Sequence, residues 1–72
     1  MKTTSDIILI ANTGVNLVVD ASSKTTMDLM RIINAVIQSG AHITLKNCEK
    51  RTTMDLYSLC QKSPKHITID LS

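Results

Sequence analysis

The feature that most restricts how this chain can fold is that it repeats itself. The word Thr-Thr-Met-Asp-Leu begins at Thr25 and again at Thr52, 27 residues on. A second word, His-Ile-Thr plus an aliphatic residue, begins at His42 and again at His66, 24 residues on. Two words recurring in the same order within 72 residues mark a structural unit. Periods of about 20–50 residues are typical of units that cannot bury an apolar face alone and do so by stacking. The two periods differ by three residues, close to one helical turn, so the second unit keeps its strand and cap but has a shorter helix.

Thr25 and Thr52 stand where helix N-caps belong. Each is followed three residues later by an aspartate, Asp28 or Asp55, which suits a capping arrangement and the positive end of the helix dipole. Leu29, Ile32, Ile33, Val36 and Ile37 recur at spacings of three and four, and Gly40 follows as a C-terminal cap. The spacing predicts a helix over Thr26–Ser39. Met54, Leu56, Tyr57, Leu59 and Cys60 give a shorter apolar face, closed by Ser63-Pro64. His42–Asn47 and His66–Leu71 alternate apolar with polar residues and read as half-buried strands. Upstream, Ile7–Ala11 is a continuous apolar run and Val15–Ala21 is a second β-like run. The turn signal Asn12-Thr13-Gly14 separates them, so together they predict a hairpin over residues 7–21.

The expected fold is α/β in the order ββαβαβ: a four-stranded, mostly parallel sheet with an N-terminal β-hairpin and two helices on one face. It would be built from two βα repeats, about residues 16–41 and 42–65, and closed by a strand over 66–71. Residues 1–72 would form a single small domain.

Ile43, Leu45 and Cys48 fall in the pattern apolar, x, apolar, x, x, then Asn or Cys. Leu17, Val19 and Ser22 occupy matching places, as do Ile67, Ile69 and Ser72. This pattern resembles the core signature of leucine-rich repeats. The resemblance implies a strand face that binds other proteins. It also implies a ladder in which Ser22, Cys48 and Ser72 turn the chain inward and bond neighbouring backbones. Gly14, Gly40 and Pro64 stand where that family usually has a leucine, and the helices carry Thr-Thr-Met-Asp-Leu in place of its helical leucines. The resemblance is therefore one of architecture.

Aligning the repeats puts Leu17, Ile43 and Ile67 abreast, and likewise Val19, Leu45 and Ile69, with both rows facing the helices. The opposite face then carries three rows: Asn16, His42 and His66; Val18, Thr44 and Thr68; Asp20, Lys46 and Asp70. The last alternates acid, base, acid, which keeps like charges from standing opposite one another. Parallel sheets are normally covered on both faces, and here helices would cover only one. Val18, Asp20, His42, Thr44, Lys46, His66, Thr68 and Asp70 are the candidate protein-binding residues. The first strand would turn two of Ile7, Ile8, Leu9 and Ile10 away from the helices whichever way it lay. That marks Ile8 and Ile10 as candidates for self-association into a homo-oligomer. A core this small contributes about 3–5 kcal/mol, so association would add to stability.

Composition argues against several classes. Eight basic and six acidic residues give a net charge of +2, and the chain has one Tyr and no Phe or Trp. Many nucleic-acid-binding domains show a stronger basic bias or more stacking residues. An alternative, nucleic-acid-binding reading would run through a basic loop rim of Lys24, Lys46, Lys50 and Arg51. His42 and His66 should stand about 5 Å apart at their Cα atoms. Two imidazoles fall short of the three or four ligands zinc usually takes, so no metal or other cofactor is expected. Cys48 and Cys60 form no Cys-x-x-Cys pair; one disulfide could join them, but they read better as buried thiols in a reducing cytosol. There is no Gly-x-Ser-x-Gly elbow, and Gly14 and Gly40 cannot build a phosphate-cradling loop, so no enzymatic activity is expected. The run Ile7–Ala11 is too short for a signal-peptide core, and nothing approaches the roughly 18–20 apolar residues of a membrane span. The sequence thus predicts a cytoplasmic, non-enzymatic regulatory module that binds another protein and itself. Nucleic acid is the alternative partner, and no membrane contact is expected.

Overall fold

The computed structural model, which describes residues 2–72, contains three capped units where the sequence words mark two. Each unit is a helix followed by a strand: α1 (Thr4–Ala11) and β1 (Leu17–Asp20), α2 (Thr26–Ser39) and β2 (Ile43–Lys46), α3 (Thr53–Cys60) and β3 (Ile67–Ile69). Short 3-10 turns over Ala21–Ser23 and Pro64–His66 complete the connections.

The helices begin alike. Thr3, Thr25 and Thr52 sit in extended backbone, and each Oγ1 accepts from the amide three residues on: Asp6 at 3.2 Å, Asp28 at 3.1 Å and Asp55 at 3.1 Å. Each bond satisfies one of the donors a helix start leaves open. α2 closes on Gly40, whose φ of +77° lies in the left-handed region. The amide of Gly40 reaches the Ile37 carbonyl and that of Ala41 reaches the Val36 carbonyl, the paired closure of a Schellman cap.

The N-terminal hairpin does not form, and with it goes the four-stranded sheet with two helices. Ile7–Ala11 lies within α1, so the sheet has three strands and the chain three helices. The reason lies just upstream: Lys2-Thr3-Thr4-Ser5-Asp6 is a degenerate copy of the later cap word and starts a helix ahead of the aliphatic run. Ile7, Ile8 and Ala11 then fall at helical spacing against the core. Asn12, Thr13 and Gly14 end that helix instead of turning a hairpin, with amides bonded to the Ile8, Ile10 and Ala11 carbonyls.

The sheet order is β1-β2-β3, all parallel. Leu17 pairs with Ile43 and Ile43 with Ile67; Val19 pairs with Leu45 and Leu45 with Ile69. This is the register that alignment of the repeated words implies. Ile43 and Leu45 are fully buried against Leu29, Ile32, Ile33 and Val36 of α2 and Leu59 of α3. Val18, on the other face of β1, is 66% exposed. No helix among the described residues is long and apolar enough to cross a membrane.

Candidate binding face

The helix-free face of the sheet is organised by cross-strand register. Val18, Thr44 and Thr68 stand abreast at its centre. Val18 and Thr68 are exposed and Thr44 is half-buried. One aliphatic side chain on the β1 edge, followed across the sheet by two hydroxyls, makes a surface that tolerates water yet can be dried by a partner.

The row at the strand starts is tied together by hydrogen bonds. Asn16 Oδ1 accepts the His42 amide at 2.9 Å, and the Leu17 amide donates to the His42 carbonyl at 2.9 Å, so the β1–β2 ladder extends one step beyond β1. His42 Nε2 lies 2.6 Å from Thr68 Oγ1, reaching diagonally across to β3. His66 Nδ1 lies 2.7 Å from the Ala41 carbonyl. A carbonyl only accepts, so the proton of neutral His66 is on Nδ1 and its Nε2 is the ring atom left to bond elsewhere. Each imidazole is thus engaged with its own neighbour. Among the described residues no group of three His, Cys, Asp or Glu is placed to hold a metal.

At the strand ends Asp20 and Lys46 are register partners, with Asp70 just beyond β3. Both aspartates turn to their own downstream serine. Asp20 Oδ1 accepts the Ser22 amide at 2.9 Å and its hydroxyl at 2.6 Å, and Asp70 Oδ1 accepts the same two groups of Ser72. These bonds hold both carboxyls below their ordinary range, with Lys46 a smaller contribution. Lys46 makes no ion pair with either among the described residues.

The serine–cysteine ladder implied by the family resemblance takes a different form. Ser22 and Ser72 are exposed and bond within their own turns. Cys48 is fully buried; its thiol donates to the Leu45 carbonyl at 3.3 Å and its amide to the Asp70 carbonyl at 3.2 Å. Burial pushes the Cys48 thiol up. Cys60 is only half-buried on α3, and both cysteines are free.

The basic rim divides into two kinds of cation. Arg51 is folded inward, its side chain 13% exposed. Its guanidinium donates to the carbonyls of Ala21 and Lys24 and to Thr26 Oγ1, and stands 3.9 Å from Asp55. Lys24 Nζ donates to the Lys2 carbonyl at 3.0 Å. Lys46 and Lys50 remain exposed. Lys50 joins Ser22, Asn47, Glu49 and Ser72 around an open cleft of about 250 Å³ at the carboxyl ends of the strands. Of the two residues marked for self-association, Ile8 is half-buried against the core and Ile10 is 40% exposed; both lie on α1 and not on an edge strand.

Sequence reasoning did not find the structural role of Lys24 and Arg51. The signal was present: a basic residue precedes the threonine pair in all three units, at Lys2, Lys24 and Arg51. Comparison of the chain with protein-family models, with curated proteins and with solved structures finds no match.

Proposed function

We propose that this chain is a non-enzymatic protein-binding module whose contact surface is the helix-free face of its sheet. The observation that carries the reading is the one-sided architecture: the helices pack together over one face, and Val18 stands 66% exposed on the other. Parallel sheets are normally covered on both faces, so a partner that covers this one completes a common arrangement. The contact would centre on Val18, Thr44 and Thr68, with His42 and His66 at one margin and Asp20, Lys46 and Asp70 at the other. The resemblance to leucine-rich repeats, which bind proteins on their strand face, supports the same surface by analogy of fold. Partner-driven regulation within the cytoplasm is the role such a module would serve.

The rival reading, nucleic acid on the basic rim, is left mainly with Lys46 and Lys50, because Arg51 is folded inward and Lys24 Nζ is drawn to the Lys2 carbonyl. The test uses the chain as bait in an extract of its native host, beside the variants Val18→Arg with Thr44→Arg, and Lys50→Ala. The expected result is one protein retained by the parent and by Lys50→Ala but lost from the double variant, whose far-UV circular dichroism stays unchanged. Retention that survives the double variant, or that is nuclease-sensitive and falls steeply with salt, overturns the proposal.

A further inference from the structure

The two ends of the stack are bare at different positions of the same helical pattern. Ile10, Ile32 and Leu59 each stand four residues after the aspartate in the first turn of their helix. Ile32 and Leu59 are fully buried, but Ile10, in the first unit, is 40% exposed. Ala11, Ile33 and Cys60 stand five residues after it; the first two are fully buried and Cys60, in the last unit, is half-buried. Two residues after it, Ile8 and Met30 are half-buried while Tyr57 is 57% exposed. The fourth position therefore faces the preceding unit, and the second and fifth face the following one. What the first unit lacks is what the last unit offers.

Two independent features run in the same direction. β1 and β3 are the sheet's edges, so each keeps one side of its backbone unpaired. A chain of cation-to-carbonyl bonds also links the units: Lys24 donates to the Lys2 carbonyl, and Arg51 to the Lys24 carbonyl. The next donor in that series is Lys2 and the next acceptor is the Arg51 carbonyl. Neither the Lys2 ammonium nor the Arg51 carbonyl has a hydrogen-bond partner among the described residues.

We propose that a second copy of this chain docks head to tail, the first unit of one copy on the last unit of the other. β1 then lies beside β3 in parallel, Ile10 packs against Tyr57 and Cys60, and Lys2 reaches the partner copy's Arg51 carbonyl. The groove of about 250 Å³ between α1 and β1, lined by Ile7, Ile10, Leu17, Val18 and Val19 and rimmed by polar residues that include Lys2 and Asp20, is filled by the α3 side of the neighbour. Such an interface joins two different patches. It leaves one free end of each kind on an open assembly and propagates beyond a dimer unless a ring closes. Val18 borders this groove, but Tyr57 lies outside the proposed binding face and Thr44 of the central strand lies outside this interface, so variants at Tyr57 and at Thr44 make the two failures separable.

Sedimentation velocity across a concentration series tests this. The parent chain is expected to form species larger than dimers as concentration rises. Ile10→Lys and Tyr57→Lys each block one end, and each alone is expected to weaken association by about tenfold or more. An equimolar mixture of the two variants retains one intact pair of ends and is expected to give a dimer that grows no further. A parent chain that stays monomeric at millimolar concentration overturns the proposal. So does a Tyr57→Lys variant that associates as the parent does, since that would mark a symmetric α1 interface. Circular dichroism of each variant separates loss of association from loss of fold.

Discussion

Arg51 shows how much one side chain can hold in so small a protein. It lies at the joint between the second and third units, yet its fork reaches back to carbonyls at the end of β1 and just ahead of α2. Planar guanidinium geometry allows several donors to be placed at once, which a lysine ammonium on a flexible stem does less well. Removing it would strip donors from the Ala21 and Lys24 carbonyls in a largely buried setting. Arg51→Ala is expected to cost about 1–3 kcal/mol in urea unfolding, with Arg51→Lys recovering only part. Lys50→Ala, one residue away on the surface, should stay within about 0.5 kcal/mol of the parent. The recurring basic residue ahead of each threonine pair marks the position in the sequence, but not what its donors reach. A cation that serves distant carbonyls has the same letter as one that serves water.

At the scale of elements, legibility follows how many independent signals agree. α2 has a cap, an acidic first turn, periodic aliphatics from Leu29 to Ile37 and a glycine stop, and its bounds could be read from the sequence alone. The strands β2 and β3 were legible because alternation and the repeated word point to one register. α1 was not, because Ile7–Ala11 is five aliphatic or small residues with no polar residue to reveal a period. A short apolar run is compatible with strand or helix, and only its cap decides between them. That cap, Thr3 with Asp6, differs from the later ones by the serine at position 5 and the isoleucine at position 7. The rows of the candidate face were readable from register, while the turning of Asp20 and Asp70 toward their own serines depends on rotamers that no spacing specifies. Gly40 offers a direct check on how firmly α2 is closed. A methyl added there meets nothing within 4 Å, so any cost comes from the backbone at φ +77°. Gly40→Ala should lose about 1–2 kcal/mol in thermal or urea unfolding, and Gly40→Asn less.

For the molecule as a whole, stability is concentrated in the middle unit. Ile43 and Leu45 of β2 and Leu29, Ile32, Ile33 and Val36 of α2 are fully buried, whereas Leu17, Ile67 and Ile69 of the edge strands are only half-buried. A stack of units is held by its neighbour contacts, so the unit with two neighbours is the one the others depend on. Leu45→Ala should cost about 2–5 kcal/mol, comparable with the whole stability of a core this size, and leave the chain largely unfolded. Ile67→Ala, at the β3 edge, should cost clearly less; equilibrium denaturation of both measures the difference.

Tyr57 is the one tyrosine in a sequence with no Phe or Trp, and it sits 57% exposed midway along α3. Intrinsic emission from this protein therefore comes from a ring that stands outside the buried aliphatic core. A folding experiment followed by fluorescence will see little of the core as it forms. The same signal will respond to whatever comes to rest against that last helix.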